Sequence, residues 1–272
     1  MILSTGPAAW TGSAPLAVAL LALVGYVSVA LPPAARAAAW SAPALIAAWG
    51  FHFILLALDV GGFGQSTHGA RLGFAPVLSI TVWVVIAVHG VESRLVPLPA
   101  VRRVLAAAGA LAVALAWVFP GETRVLNSPW APLHFVLGVA SYGLFGAAVL
   151  HGLLLDGAER RLRLRTAAEP GAMGMPLLQL ERLTFRFVEA GFVVLSATLL
   201  LGVMTATRWV WDHKTVFSLL GWAVFAALLL GRRLQGWRGR RATRWLYAGA
   251  LLLLLAYVGS RFVLEVVLER AA

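Results

Sequence analysis

The chain has 272 residues, of which 61% are hydrophobic and 12% charged, and it contains no cysteine. Soluble domains carry roughly 45–50% apolar and about 25% charged residues, so this composition excludes an ordinary soluble protein. The lack of cysteine excludes disulfides, thiol redox chemistry and cysteine-ligated metals. The net charge of +11 would favour nucleic-acid binding in a soluble protein. In a membrane protein it fits arginines gathered in cytoplasmic loops, and no nucleic-acid partner is expected.

Eight apolar runs of membrane-spanning length, about 20 residues, follow one another along the chain. Backbone polar groups must be satisfied inside the hydrocarbon, so each run is predicted to form a helix. The sequence therefore predicts an all-α, polytopic membrane helix bundle that forms one domain over residues 1–272. The predicted spans are residues 16–34, 42–60, 74–91, 101–119, 133–155, 185–206, 216–234 and 245–268.

The distribution of arginine and lysine predicts the orientation of these helices. With the N-terminus outside, the inner loops hold 16 of these cations and the outer side holds 6. Both termini are therefore predicted to lie outside, together with the segment that joins the sixth and seventh helices.

That segment concentrates aromatic and charged side chains. Trp209 and Trp211 stand two residues apart, so an extended chain would present both indoles to one edge of a ligand. Together with Arg208, Asp212 and Lys214, these indoles predict a binding site for a planar anionic ligand. The indoles would pack against the face of the ligand, and the two cations would bind its carboxylates. Two ordinary explanations stay open. Tryptophan anchors membrane proteins at the interface, and an aspartate at a helix start caps the helix.

Three of the six histidines fall on the predicted outer side: His68 in a Gly-rich loop, His134 at the start of the fifth helix and His213 at the start of the seventh. Imidazole is the common axial ligand of haem iron. His134 and His213 are therefore predicted as axial ligands, one on each face of the ring. His52 lies inside the second span, where an ionisable group is a functional-site hypothesis by default. We assign it a cofactor-binding relay role; the alternative is a neutral imidazole that hydrogen-bonds another helix.

Several segments between residues 40 and 268 resemble the characteristic segments of one protein family. The Trp209-Val-Trp-Asp212 stretch, followed by Lys214 and by Ser218 to Trp222, resembles the tryptophan-rich WWD segment of the cytochrome c assembly family of haem-handling membrane proteins. The end of the chain is similar to the short eight-helix branch of that family. The other matching landmarks are His52, Arg71 to Trp83, Leu133-His134, Ser141-Tyr142, Gly236 to Gly239 and Tyr257 to Glu265.

The resemblance implies that haem b binds between His134 and the segment from Trp209 to Lys214, on the extracytoplasmic face of a bacterial inner membrane. It implies a role in cytochrome c maturation or in haem handling and transport, with haem, lipid and apocytochrome c or another membrane protein as partners. The chain is not expected to be an enzyme, because the iron chemistry belongs to the cofactor.

Two other functions stay open. One is a membrane partner or regulatory subunit without obligatory haem, beside an ion transporter or a haem-biosynthesis enzyme. The other is a transporter of a small solute that uses the intramembrane Glu189 and His52.

Overall fold

The computed structural model describes residues 13–31, 40–61, 70–92, 99–124, 130–163, 176–206 and 210–267. Within these ranges the chain is helical almost throughout. Beyond Leu254 the last helix continues as two π-helical stretches, Leu255–Gly259 and Val263–Val267, with Ser260–Phe262 between them. The helices are α1 (Ser13–Ala30), α2 (Ser41–Gly61), α3 (Phe74–Glu92), α4 (Pro99–Val118), α5 (Ala131–Arg163), α6 (Leu177–Thr205), α7 (His213–Gln235) and α8 (Gly239–Leu254).

The observed helices confirm the prediction of a polytopic membrane helix bundle. Seven of the described helices are long and apolar enough to cross a membrane, and Ala14–Ala30 is a shorter apolar helix. Each predicted span overlaps one of them. Helix α5 runs well past the predicted end at residue 155, because charged residues continue the helix as far as Arg163. The predicted outside location of both termini stays a prediction.

A short antiparallel ladder departs from the all-α prediction. Strand β1 (Ala70–Leu72) precedes α3, and strand β2 (Glu122–Arg124) follows α4. Leu72 pairs with Glu122 and Ala70 with Arg124. Each strand has three residues, which is too short for hydrophobic alternation to reveal it.

The described helices form two compact units. The first unit contains α1 to α4, and the second contains α5 to α8 with the π-helical continuation of α8. The single domain expected from the sequence stays a prediction.

In the first unit, α1 packs against α2 and α4. Helices α1 and α2 lie close together at Gly25, where a Cβ atom would lie only 2.9 Å from Cβ of Ala48. This close contact accompanies the hydrogen bond between Tyr26 of α1 and His52 of α2.

In the second unit, the core lies between α5, α6, α7 and α8. The rings of Phe145 and Phe225 stack with their centroids 3.9 Å apart, and Val188 and Leu246 are fully buried beside them. A Cβ atom at Gly249 would lie 2.8 Å from Cζ of Phe225, so a small residue is needed there for α8 to reach the core. This packing fixes the four helices whose ends carry the candidate site.

Candidate functional site

Helices α5 and α8 are antiparallel, and this relation places the candidate residues at one end of the second unit. Asp156, near the end of α5, accepts hydrogen bonds from Thr243 and Tyr247 at 2.9 Å each. Nearer the start of α5, Tyr142 donates to the carbonyl of Leu253 at 2.6 Å. The start of α5 therefore lies beside the last turns of the eighth helix.

His134 lies in the first turn of α5 and packs against α6. Its backbone N–H donates to the carbonyl of Trp130 at 3.0 Å, and the backbone of Thr198 lies within hydrogen-bonding reach of its ring. A Cβ atom at Gly202 would lie 3.2 Å from Cε1 of the ring. The ring nitrogen Nδ1 is buried and makes no hydrogen bond with the described part of the chain. One buried ring nitrogen of His134 is thus left without a hydrogen-bond partner among the described residues, and it lies 3.7 Å from the Cβ position of Gly202.

Lys214 is the predicted site residue that the structure brings towards His134. Its ammonium is close enough to act electrostatically on the imidazole, and it lies 5.7 Å from the centroid of the Tyr257 ring. On the same ring, Cζ of Arg261 lies 5.8 Å from the centroid. Sequence reasoning did not assign Tyr257 or Arg261 to the site. Two signals pointed to them: their place at the end of the last helix, level with the predicted outer loops, and the resemblance of Tyr257 to Glu265 to the family's landmarks.

Asp212 caps α7, one of the two explanations offered by the sequence. Its backbone is extended, and its carboxylate accepts a hydrogen bond from the backbone N–H of Thr215 at 2.8 Å. Partial burial pushes the pKa of Asp212 upward, but the hydrogen bonds from Thr215 and the charge of Lys214 outweigh this effect, so the pKa lies below its ordinary value. Asp212 is therefore an ionised cap that fixes the first turn of α7.

Two other residues of this segment, Trp211 and His213, are exposed to solvent. Trp211 is 70% exposed. His213 is exposed and makes no hydrogen bond or ring contact within the ranges described above. Arg208 and Trp209 lie outside the described residues. The pairing of His134 with His213 across one ligand stays a prediction.

His52 belongs to the first unit and is almost completely buried, with an exposure of 1%. Its Nδ1 lies 3.1 Å from the hydroxyl of Tyr26, and its Nε2 lies 2.7 Å from Oγ of Ser79. Both bonds form together when Tyr26 donates to Nδ1 and Nε2–H donates to Ser79. The arrangement matches the alternative stated above, a neutral imidazole that links helices, and it leaves no ring nitrogen of His52 free.

A family model described as "Cytochrome C assembly protein" matches residues 14–268. Inner membrane protein YpjD of Escherichia coli K12 is 32% identical over 265 residues, which cover 92% of this chain and 98% of the relative. Cytochrome c biogenesis protein CcsA of a Prochlorococcus marinus strain is 25% identical over 250 residues, which cover 77% of this chain and 78% of the relative.

A third relative, a 28.8 kDa protein of Azospirillum brasilense, is 33% identical over 144 residues, which cover 51% of this chain and 53% of the relative. No solved structure matches the chain. The family model extends from the first described helix to the end of the last one. The chain is therefore a multi-pass membrane protein that belongs to the cytochrome c assembly family.

Proposed function

We propose that this protein binds haem b in its second unit, at the end where α5 and α7 begin. The site lies on the extracytoplasmic face of a bacterial inner membrane, and the protein acts as a carrier in cytochrome c assembly or in haem handling, not as an enzyme. Membership of the cytochrome c assembly family and the name of the CcsA relative, a cytochrome c biogenesis protein, support this proposal. The name of the YpjD relative, an inner membrane protein, supports the proposed location in the inner membrane.

The observation that carries the proposal is the unpartnered Nδ1 atom of His134. Leaving a buried polar atom without a hydrogen bond costs roughly 1–3 kcal/mol, and such atoms in a native structure call for an explanation. A metal ligand supplies one, because a neutral imidazole nitrogen offers a lone pair to iron. A bound haem would supply the iron and its redox chemistry, and His134 would be its first axial ligand.

The neighbouring residues have roles that suit the same ligand. Lys214 would bind a propionate, and Asp212 would hold Lys214 in place by capping α7. Trp211, with its exposed indole, would lie against the porphyrin together with Trp209. Arg208 is a second cation for the propionates. His213 is the proposed second axial ligand, and its exposure leaves its ring accessible.

The test is the visible spectrum of the purified protein after expression with a haem supply. The expected result is a Soret band that His134→Gly loses and that added imidazole restores, because imidazole can occupy the space of the missing ring. His151→Ala is the matched control. That histidine also lies on α5, is buried, and has Nδ1 hydrogen-bonded to the carbonyl of Ala147 at 2.8 Å.

Three outcomes distinguish the functions. A band lost in both His134→Gly and His213→Ala supports axial ligation by both residues. A band that survives in His134→Gly as in the His151→Ala control would place the iron elsewhere. A protein that folds and shows no band at any haem supply would favour a membrane partner or regulatory subunit without haem.

A further inference from the structure

Two cations from different helices approach the same aromatic ring at the site end of the second unit. Lys214, in the first turn of α7, lies 5.7 Å from the ring centroid of Tyr257. Arg261 lies 5.8 Å from the same centroid. A cation over a tyrosine ring is attracted by the ring's π electrons, while two like charges around one ring repel each other. A carboxylate between the two cations would be attracted by both.

The backbone around this ring departs from regular α-helix. The π-helical turns Leu255–Gly259 and Val263–Val267 enclose Ser260–Phe262, and Oγ of Ser260 donates to the carbonyls of Ala256 at 2.9 Å and Tyr257 at 3.1 Å. A π-helical turn is rare in proteins, and where one occurs it is often at a functional site. An extra residue in a turn changes the direction in which the next side chains point, so the turn Leu255–Gly259 affects where Arg261 lies relative to Tyr257.

The register of α5 against the eighth helix places Arg261 level with His134. Tyr142 and Leu253 are joined by a hydrogen bond of 2.6 Å. His134 lies eight residues before Tyr142, and Arg261 lies eight residues after Leu253. At a rise of about 1.5 Å per residue, His134 lies roughly 12 Å from that bond. Arg261 lies towards the same end at a shorter distance, because the wider π-helical turn Leu255–Gly259 lies between it and Leu253. The charge of Lys214 acts on the imidazole of His134, and its ammonium also lies near the Tyr257 ring. Lys214 therefore connects the His134 end of α5 with the last turns of the eighth helix.

We propose that Lys214, Tyr257 and Arg261 form a carboxylate clamp that binds the propionate edge of the tetrapyrrole. This inference rests on the proposed function and adds to it a recognition element on the eighth helix. A guanidinium binds a carboxylate through two parallel hydrogen bonds, and an ammonium adds a compact point charge. The clamp therefore selects porphyrins with free carboxylates over their neutral esters, and it turns the carboxylate edge of the ligand towards α7 and the eighth helix.

Two simpler explanations predict different behaviour. Arg261 stands four residues before Glu265, a spacing typical of a helical ion pair, and the side chain of Glu265 lies outside the described residues. Tyrosine and arginine also occupy membrane interfaces as anchors. In both cases the substitution of Arg261 would alter stability or insertion and would leave the discrimination between acid and ester unchanged.

The experiment uses the full chain in nanodiscs and four ligands: haem, haem dimethyl ester, iron-free protoporphyrin IX and its dimethyl ester. Binding is followed by the Soret band for the iron compounds and by quenching of tryptophan fluorescence for all four. The variants are Lys214→Gln, Arg261→Gln and the double substitution. The control is Arg233→Gln, an exposed arginine in the last turn of α7.

The expected result is that the native protein and Arg233→Gln prefer each acid over its ester by roughly tenfold or more, as expected for charge-assisted bonds. The double substitution should bind acid and ester alike, and rising salt should weaken only the binding of the acids. Equal binding of acid and ester by the native protein, or a preference that survives the double substitution, would overturn the clamp.

The iron-free ligands separate the two proposals. Carboxylate discrimination without a histidine-dependent Soret band would uphold the clamp and remove axial ligation by His134. A histidine-dependent Soret band without carboxylate discrimination would uphold axial ligation by His134 and overturn the clamp. A native protein that binds none of the four ligands would overturn both.

Discussion

Trp49 and Trp83 exchange hydrogen bonds across the first unit. Each indole N–H donates to the backbone carbonyl of the other residue, at 3.1 Å in both directions, and the two rings stack with centroids 4.6 Å apart and planes 9° apart. The residues are 34 positions apart in the chain. The pair links α2 to α3 and satisfies both indole N–H donors inside the unit. These tryptophans therefore hold two helices together and are not only interfacial anchors.

Substituting Trp49 by phenylalanine should therefore destabilise the protein by about 1–2 kcal/mol, because it removes a hydrogen bond and part of the stacked surface. The measurement is reversible unfolding in mixed micelles, followed by circular dichroism. The double substitution of Trp49 and Trp83 should cost less than the sum of the single ones, because both act on one ring pair. Trp40→Phe is the control, since Trp40 is 72% exposed. Equal losses from Trp49→Phe and Trp40→Phe would contradict the pairing.

His52 provides a second prediction, because its two ring nitrogens each have a partner. His52→Leu should cost roughly 2–4 kcal/mol, since it leaves the hydroxyls of Tyr26 and Ser79 buried without a bond. Replacing those partners as well, by Tyr26→Phe and Ser79→Ala, should recover much of the loss. Unfolding in micelles measures both effects.

The same triple variant tests the cofactor role assigned to His52 from the sequence. If His52 serves only to link helices, the haem absorbance per folded protein should equal that of the native chain. A well-folded triple variant that has lost the Soret band would instead restore His52 as a cofactor-binding residue.

The sequence predicts the spans well because lipid exposure imposes a simple rule, a run of apolar residues that is long enough. It also offered Asp212 as the cap at the start of α7, since an aspartate shortly before an apolar run is a typical helix cap. It could not identify which side chains meet between helices. The spans are apolar on every side, so no polar stripe shows which face is turned inward. The contact of Tyr26 with His52, and the approach of Lys214 and Arg261 to the Tyr257 ring, depend on the rotation of each helix about its axis.

Asp212 yields a prediction about pH. Asp212→Ala should destabilise the protein by about 1 kcal/mol, a typical value for the loss of a helix cap, whereas Asp212→Asn should cost only a few tenths because asparagine also caps. Since the pKa of Asp212 is lower in the folded protein than its ordinary value, ionisation stabilises the fold at neutral pH. This contribution is complete above the unfolded pKa, about 3.9, and is lost as the pH falls through the lower folded pKa.

Unfolding curves of the native protein and Asp212→Asn, recorded from pH 7 to pH 3, check this sign. The two proteins should differ slightly at pH 7, and the difference should shrink towards the acid end. A difference that grows as the pH falls would show that the carboxylate is destabilising when ionised, contrary to the cap and to its proximity to Lys214.

Gly202 positions the ring of His134, and enlarging it should disturb the proposed haem ligand. A Cβ atom there would lie 3.2 Å from Cε1 of the ring, which is tighter than an ordinary contact, so Gly202→Ala should shift the imidazole and Gly202→Val should displace it. The expected result is a weaker or shifted Soret band, in the order native, alanine, valine. Gly138→Ala is the matched control at the same α5–α6 interface, where the nearest atom, Cγ2 of Thr198, would lie at an ordinary 3.9 Å. Alanine is the better helix former by about 1 kcal/mol, so neither alanine variant should fail to fold for want of helix propensity. Spectra of Gly202→Ala and Gly202→Val that match the Gly138→Ala control would mean that the haem, if bound, does not depend on His134 in this position.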